Sequence, residues 1–194
     1  MIALLKDYCN SICPLSNEAL NAILESSETK TFSAEEYILK PKQTANYAYF
    51  VADGLVRSYY LKNDEEITTK FLPQGSFITS IFSFYSRMPG NEFIKTITPA
   101  TLVGLHYDNL QKLYHQFPEI NFLGRVITEK YLFFLEIEIY NLRKQNAEEK
   151  YLFFLKHYPH IMQICPLKYI ASYLSISVET LSRIRSKIAD SDVH

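Results

Sequence analysis

Polar side chains that can read the edges of DNA bases cluster near the end of the chain. Glu179 and Arg183 are four residues apart, and Thr180 lies beside them. Four residues make about one helical turn, so these side chains share one face of a helix. An arginine can donate two hydrogen bonds to guanine O6 and N7, and a glutamate can accept one from cytosine N4. This combination predicts contacts in the major groove of DNA.

Two short amphipathic helices with a tight turn between them would position these side chains. Apolar residues recur at helical spacing in both segments: Leu167, Ile170, Ala171 and Leu174, then Val178, Leu181, Ile184 and Ile188. The segment 175–177 breaks the pattern, and Ser177 is a suitable N-cap for the second helix. This pattern is typical of a helix-turn-helix, although many such helix pairs only close a hydrophobic core. The candidate DNA-binding residues are Lys168, Ser177, Val178, Glu179, Thr180, Ser182, Arg183, Arg185 and Lys187.

Composition indicates a globular protein with little electrostatic bias. Of the 194 residues 47% are hydrophobic, and the formal net charge is −1 from 20 basic and 21 acidic residues. This balance argues against a protein that coats nucleic acid without sequence preference. Residues 147–194 carry 6 basic and 5 acidic residues, which is a weak electrostatic footprint for a DNA-binding segment.

Other sequence features favour a cytoplasmic protein without a metal site. The chain has no apolar run long enough to span a membrane, and we expect no secretory signal at its start. Three cysteines at 9, 13 and 165 fit neither a disulfide framework nor an iron–sulfur cluster, so a reducing cytoplasm is the expected compartment. Among the five histidines only His157 and His160 have a spacing that could suit a metal, and beside Pro159 we interpret this pair as part of a surface loop. We therefore predict no metal and no cofactor.

Between residues 37 and 106 the pattern changes to short strands separated by turns. We predict strands near 37–40, 47–51, 55–61, 67–72, 92–98 and 102–106, with 47–51 and 55–61 forming a hairpin around Asp53-Gly54. A helix is predicted at 16–24, and Ser33 to Glu36 is interpreted as a turn before a strand. Short strands with a turn about every ten residues predict an antiparallel sandwich or roll.

A long helix follows, from Glu119 to about Arg143. It carries two apolar stripes. One stripe contains Ile120, Leu123, Ile127 and Phe134, and the other contains Val126, Phe133, Ile137 and Tyr140. One stripe can cover the sheet, and the other needs a partner, most simply the same helix of a second subunit. We assign Ile120, Leu123, Ile127 and Phe134 to this dimer contact; the alternative is a helix buried within a monomer.

A seven-residue segment, Glu-Lys-Tyr-Leu-Phe-Phe-Leu, occurs at 129–135 and again at 149–155. On one unbroken helix the two copies would face different ways. We therefore predict two separate helices with a joint near Gln145-Asn146. The expected organisation is a β-roll at 1–118, a long dimerisation helix at 119–145, and a helix-turn-helix domain at 146–194.

In this order of elements the chain resembles the Crp/Fnr family of bacterial transcription regulators. The resemblance covers nearly the whole chain and rests on residues 49–57 (Tyr-Phe-Val-Ala-Asp-Gly-Leu-Val-Arg), 75–77 and 166–185, the last being similar to short members common in Bacteroidetes. It implies an α+β fold with an N-terminal antiparallel β-roll of the double-stranded β-helix or jelly-roll type, a long dimerisation helix and a C-terminal helix-turn-helix. The resemblance further implies that the roll is a cyclic-nucleotide-binding-like sensor domain and that the helix-turn-helix is of the winged-helix-like type.

The resemblance also implies function and partners. It implies a homodimer on a near-palindromic operator, with double-stranded DNA and RNA polymerase as partners. The base-reading positions of the family fall on Val178, Glu179 and Arg183. Many members have an arginine where this chain has Val178, so the operator of this protein should differ from theirs at the base pair that this position contacts. Only nine residues follow Arg185. We therefore expect the β-hairpin wing of many relatives to be missing, either natively or through truncation, and DNA affinity to be modest.

The nucleotide pocket of the family is where the sequence departs most. Members that bind cyclic AMP have Gly-Glu and Arg-Ser pairs, which here fall on Thr79-Ser80 and near Gly90-Asn91. Without these charged partners, binding of cyclic AMP is not expected. A pocket for a less charged effector would be lined by Phe77, Thr79, Ser80, Ile81, Arg87 and Asn91. The apolar segment 77–85 would more simply fill the roll.

Two other classes of function remain open from the sequence. One is a ligand-sensing or protein-interaction module whose helix-turn-helix no longer binds specific DNA. The other is a metalloenzyme on a jelly-roll scaffold, which would need several histidines on the strands. His106 is the only histidine between residues 37 and 106. No nucleophile–base pair is recognisable, and we predict that the protein is not an enzyme.

Overall fold

The computed structural model describes residues 2–144 and 146–191. Within these residues the chain forms two compact units. The first comprises the residues up to 58 together with 71–130, and the second comprises 59–70 together with the residues from 131 onward. This division differs from the three consecutive segments predicted from the sequence, because the long helix contributes residues to both units.

The described elements follow one another as helices and strands in a mixed order. The helices are α1 (Ile2–Ile12), α2 (Asn17–Ser26), α3 (Ile81–Ser86), α4 (Tyr107–Gln116), α5 (Pro118–Lys144), α6 (Ala147–His157), α7 (Ile161–Ile164), α8 (Leu167–Leu174) and α9 (Val178–Ser191). The strands are β1 (Ser27–Phe32), β2 (Tyr37–Leu39), β3 (Tyr47–Asp53), β4 (Leu55–Lys62), β5 (Glu65–Pro73), β6 (Phe77–Ile78), β7 (Phe93–Thr96) and β8 (Ala100–His106).

The strands form the predicted roll from two four-stranded sheets. One sheet has the order β1-β8-β3-β6, and the other has the order β2-β7-β4-β5. The pairs β1–β8, β3–β8, β3–β6 and β2–β7 are antiparallel. The α+β fold with a jelly-roll-like β-roll followed by a long helix is therefore confirmed.

The hairpin predicted around Asp53-Gly54 is wrong. Strand β3 pairs with β8 and β6, whereas β4 lies in the other sheet between β7 and β5. Gly54 is the corner at which the chain passes from one sheet to the other, with φ at +93°. A Cβ at this position would lie 2.4 Å from Pro99 O. An Asp-Gly turn signal is local and does not specify which strands pair.

The turn between β4 and β5 does form a hairpin connection. Asn63 and Asp64 have φ values of +52° and +63°. Two consecutive residues with positive φ are characteristic of the two-residue turns that suit the right-handed twist of a strand pair. The predicted turn at 74–75 is also present, and Gly75 has φ at +87°.

Two hydrophobic clusters cover the two faces of strand β3. Side chains on one face fill the inside of the roll: Leu39, Ala45, Tyr49, Val51, Val56, Leu72, Ile78, Phe84, Ile94, Ala100 and Leu102. Side chains on the other face pack against α1, α2, α4 and the start of α5: Leu5, Cys9, Ala19, Ile23, Phe50, Ala52, Val103, Leu113, Ile120 and Leu123. Alternation along β3 thus supplies both clusters.

Local signals identify the start of α2 and the turn before β2. Ser16 caps α2 by accepting a hydrogen bond from Ala19 N–H at 3.1 Å, as its position before the apolar stripe predicts. The turn at 33–36 is closed by the carboxylate of Glu36, which accepts from Ser33 N–H at 2.7 Å. Strand β2 then begins at Tyr37, so the interpretation of this segment as a turn before a strand is confirmed.

The predicted long helix is α5, with 27 residues. The two copies of the repeated heptapeptide lie on α5 and α6, as predicted. Gln145 of the predicted joint lies outside the described residues. Asn146 caps α6 through a capping box in which its side chain accepts from Glu149 N–H at 3.0 Å.

Several elements were not predicted from the sequence. The sequence of strand β1 is polar and has no pattern typical of a strand or a helix. Helix α1 precedes the first element predicted from the sequence. The apolar segment 77–85 divides into β6 and α3, a change that continuous hydrophobicity does not reveal. Among the described helices, none is long and apolar enough to cross a membrane.

Replacing Gly54 with alanine should destabilise the protein more than replacing Gly75. Both residues have positive φ, and alanine in that region costs about 1–2 kcal/mol. At Gly54 the new Cβ would also clash with Ala100 Cα at 2.8 Å, whereas Gly75 has nothing within 4 Å. We expect Gly54→Ala to cost about 1–3 kcal/mol more than Gly75→Ala.

Thermal unfolding followed by circular dichroism checks this prediction. The difference should appear as a melting temperature lower by about 2–4 °C for each kcal/mol. Equal melting temperatures for the two variants would contradict the placement of Gly54 at a crowded corner.

Candidate nucleic-acid interface

The turn between α8 and α9 is closed by backbone hydrogen bonds around Ser175. Ser175 has φ at +56°, and its N–H donates to Ser172 O at 3.1 Å. The N–H of Ile176 donates to Ala171 O at 3.0 Å. These two bonds are the Schellman arrangement, which ends a helix on a residue in the left-handed conformation. The segment predicted to break the helical pattern therefore forms the turn of the helix pair.

Helix α9 begins immediately after this turn with the predicted cap. Ser177 Oγ accepts a hydrogen bond from Thr180 N–H at 3.1 Å. Ser177 Oγ also lies 3.0 Å from Thr180 Oγ1, to which Arg183 Nη2 donates at 3.3 Å. The side chains at the start of α9 are thus held by hydrogen bonds within the helix. A small number of fixed rotamers lowers the entropy lost when these groups bind a ligand.

Burial determines which side of α9 faces outward. Leu181 is fully buried, and Ile184 and Ile188 are half-buried. Ile170 and Leu174 of α8 are buried as well. The residues exposed on α9 include Val178, Glu179, Ser182, Arg183, Arg185 and Lys187, and Thr180 is half-buried. The structure therefore brings the predicted recognition residues together on the exposed side of one helix.

The charge of this face is mixed. Hydrogen bonds from its own backbone N–H and from the Ser177 hydroxyl lower the pKa of the Glu179 carboxyl, so it is ionised at neutral pH. Lys187 Nζ forms an ion pair with Glu148 at 2.7 Å, and the two side chains are 69% and 41% exposed, respectively. Lys168 is exposed on α8, with its ammonium 4.9 Å from the ring centroid of Tyr169. Arg183 and Arg185 thus supply the cationic side chains nearest the start of α9.

Helix α8 is fixed by a contact with the tip of the β4–β5 hairpin. Ser172 Oγ donates to Glu66 O at 2.7 Å and accepts from Thr68 N–H at 3.0 Å. One hydroxyl therefore satisfies a carbonyl and an amide of strand β5. Lys70 of the same strand has its ammonium 5.2 Å from the ring centroid of Tyr131 on α5. The sequence carries no periodic signal for these contacts, because the two partners of Ser172 are more than 100 residues away.

The residues predicted to line an effector pocket have different surroundings in the structure. Arg87 Nη1 donates to Ala45 O at 2.8 Å and to Phe84 O at 3.1 Å, and Nη2 donates to Asn46 Oδ1 at 2.6 Å. The guanidinium carbon also lies 4.2 Å from the ring centroid of Tyr107. Three of the five guanidinium N–H groups therefore already have acceptors within the protein.

The other predicted pocket residues lie in different surroundings. Phe77 packs against Tyr8 and Phe50, with ring centroids 5.2 and 5.1 Å apart, on the helix-covered face of the sheet. Thr79 Oγ1 donates to Tyr47 O at 2.9 Å. Ser80 is buried, Ile81 is half-buried and Asn91 is exposed. Phe84, from the same apolar segment, is buried inside the roll, as expected of a residue that fills it.

The assignment of the dimer stripe on α5 needs correction. Ile120 and Leu123 are buried in the cluster that covers the sheet, and Ile127 packs against that cluster. Phe134 is half-buried, with its ring 6.0 Å from that of His157. These side chains are covered within the chain because their stripe faces its neighbouring elements.

The exposed apolar side chains of the later half of α5 are different ones. Leu132, Phe133 and Tyr140 are 58%, 69% and 56% exposed. Phe133 and Tyr140 belong to the second stripe recognised in the sequence, and their spacing of seven residues places them on the same side of the helix. This side of α5 therefore carries exposed apolar side chains.

The cysteines form neither a metal site nor a reactive pair. Burial raises the pKa of the Cys9 thiol to about 11, and the half-buried Cys13 thiol donates weakly to Glu119 O. A thiol with a raised pKa is a poor nucleophile and a poor metal ligand at neutral pH. Among residues 2–144 and 146–191, no group of three or more histidine, cysteine or acidic side chains could hold a metal ion.

Comparison with known proteins identifies the domain and the fold. Residues 29–117 match the family model of the cyclic nucleotide-binding domain. No curated protein sequence matches the chain.

Three solved structures share the fold. FixK2 from Bradyrhizobium japonicum matches with a TM-score of 0.74 and 20% identity, covering 86% of each chain. The c-di-GMP responsive global regulator CLP from Xanthomonas campestris matches with 0.71 and 16%, covering 91% of this chain and 93% of that one. The catabolite activator protein of Thermus thermophilus matches with 0.57 and 17%, covering 94% of this chain and 87% of that one. The chain thus has the fold of Crp/Fnr-type regulators.

Proposed function

We propose that this protein is a DNA-binding transcription regulator that acts as a homodimer on a near-palindromic operator. The observation that carries the proposal is the exposed side of α9, where Glu179, Ser182 and Arg183 project from a helix with a buried opposite side. A recognition helix needs this division, because its first turns enter the major groove while its inner side packs on the partner helix. The resemblance to Crp/Fnr regulators adds RNA polymerase as a proposed partner.

The homodimer is supported by the apolar side chains on the later half of α5. Three neighbouring large apolar residues that are more than half exposed are unusual on the surface of a monomer. A twofold axis alongside this helix would bury them against their own copies. Half-sites one turn of B-DNA apart, about 34 Å, would then face the two copies of α9.

One observation favours a second candidate, a protein-interaction or ligand-sensing module without specific DNA binding. The face around α9 is not strongly basic, because Glu179 is exposed and Lys187 is paired with Glu148. Selection of bound sequences from random DNA distinguishes the two candidates. Enrichment of a palindromic motif supports the regulator, and absence of enrichment together with a stable protein partner supports the module.

Arg183→Ala should relax the choice of base at one position of the operator. Losing a bidentate arginine–guanine contact removes about 1–3 kcal/mol of discrimination against the wrong base. Lys187→Ala should instead weaken binding to all sequences about equally, as expected for a phosphate contact. It should also reduce the slope of log affinity against log salt concentration by about one. Gel-shift titrations on the selected site and on its single-base variants, at several salt concentrations, measure both effects. Equal losses on every sequence for Arg183→Ala would refute the base-reading role.

Phe133→Asp should convert the dimer to a monomer. Phe133 is 69% exposed on α5, and a carboxylate there would have to be buried without a partner when two copies associate. The matched control is Met88→Asp, which places the same charge at a residue that is 58% exposed beside α3. Sedimentation velocity should show a dimer for the wild type and for Met88→Asp. A monomeric wild type would contradict the proposed assembly.

Cyclic AMP should not bind at micromolar concentration. The missing charged partners weaken binding by about 1.5–3 kcal/mol each, which together amount to roughly two to four powers of ten. Arg87 does not replace them, because its guanidinium is bonded to Ala45, Phe84 and Asn46. Isothermal titration calorimetry with cyclic AMP and cyclic GMP should give no saturable heat. Clear saturation by either nucleotide in the micromolar range would overturn this expectation.

A further inference from the structure

Glu138 on α5 is a buried carboxyl that joins three segments of the second unit. It is 7% exposed. Tyr158, which follows α6, donates its hydroxyl to Glu138 Oε1 at 3.3 Å. Tyr173 of α8 donates its hydroxyl to the same oxygen. One carboxylate oxygen therefore connects α5, the end of α6 and the first helix of the helix-turn-helix.

Aromatic rings surround this carboxyl. Phe154 is fully buried, and its ring centroid lies 5.3 Å from that of Tyr158 and 5.7 Å from that of Tyr173. The rings of Tyr158 and Tyr173 are 6.2 Å apart and nearly perpendicular. Hydrogen bonds in such an apolar setting are strong and directional, and removing one partner leaves a buried polar group unsatisfied.

The protonation states of these groups are set by their surroundings. Burial raises the pKa of Glu138, while the hydroxyls of Tyr173 and Tyr158 and the charges of Lys70 and His157 act in the opposite direction. Burial also raises the pKa of both tyrosines, so their hydroxyls keep the protons that they donate.

We propose that Glu138 is a positioning residue for DNA recognition, because its hydrogen bond to Tyr173 fixes α8, and with it α9, against the later half of α5. The proposal rests on the proposed function. Ser172, the neighbour of Tyr173, bonds to strand β5 from a second side of α8. Together, the two contacts hold α8 to β5 through Ser172 and to α5 through Tyr173.

The geometry of α5 relates this anchor to the proposed subunit contact. At about 100° per residue, Glu138 points roughly 140–160° away from Phe133 and Tyr140. One side of the helix therefore carries the exposed apolar residues, and the opposite side carries the anchor of the helix pair. In the proposed dimer, the separation of the two recognition helices depends on the Glu138 contact.

Glu138→Gln tests the proposal, with Glu136→Gln as the matched control. Glu136 is exposed on the same helix two residues earlier. At neutral pH we expect Glu138→Gln to remain dimeric and to lose at least about tenfold in affinity for the selected operator, with a much smaller loss on random duplex DNA. Tyr173→Phe, which keeps the Tyr158 bond, should show a smaller loss in the same direction. If Glu138→Gln does not fold, Tyr173→Phe serves as the test variant instead.

The pH dependence separates positioning from a general structural role. The folded state has a raised pKa at Glu138, so it holds the proton more tightly than the unfolded chain. As the pH falls toward the ordinary value of 4.5, wild-type stability should therefore rise relative to Glu138→Gln. Over the same range its preference for the operator should fall toward that of Glu138→Gln, because a neutral carboxyl accepts hydrogen bonds less strongly.

Hydrogen exchange supplies a readout that does not require DNA. Amides of α8 should exchange at least about tenfold faster in Glu138→Gln than in Glu136→Gln. If no operator is found but exchange accelerates, the anchor is supported and the DNA-binding function fails. If the wild type binds its operator and Glu138→Gln matches Glu136→Gln in exchange, operator preference and pH profile, the role of Glu138 is refuted.

Discussion

Burial of Leu181 on α9, and of Ile170 and Leu174 on the neighbouring α8, is the constraint on which the proposed interface depends. Each such side chain contributes about 1.5–3 kcal/mol when it is fully removed from water. An exposed ion pair such as Lys187–Glu148 contributes about 1 kcal/mol or less. The hydrophobic contacts therefore determine how α9 is rotated, and the ion pair only adjusts to that rotation.

The β-roll shows how a nucleotide-binding scaffold can be filled by its own side chains. Phe84 lies in the internal cluster, and the donors of Arg87 are directed to Ala45, Phe84 and Asn46. A half-buried guanidinium that already has protein acceptors is less free to bind an anion than one without them. The match to a cyclic nucleotide-binding domain therefore describes the architecture of residues 29–117, and the side chains decide what that architecture can bind.

Polar contacts in the second unit have a different role from its apolar core. The core collects apolar side chains with little directional preference, whereas Ser172 and Tyr173 each require particular partners at particular distances. Contacts of the second kind specify one arrangement among several that bury similar apolar area. A sequence-specific reader needs this property, because a shift of a fraction of an ångström removes a base-edge hydrogen bond.

The sequence by itself determined the elements whose signals are local or periodic. The roll, α5 and the helix pair around Ser175 follow from strand length, helical spacing and capping residues such as Ser177. Periodicity also showed that α5 has two apolar stripes, but it could not show which stripe is covered within the chain. That choice depends on where Ile120 and Leu123 meet the sheet, and only the packing fixes it.

Only the tertiary structure decided the contacts between distant segments. Asp53-Gly54 has the composition of a hairpin turn, yet the chain crosses there from one sheet to the other, because pairing depends on strands far along the sequence. The partners of Glu138 are 20 and 35 residues away on other elements. In the sequence Glu138 is an ordinary acidic residue of a helix. Its burial depends on how α5, α6 and α8 pack, a relation that no local pattern records.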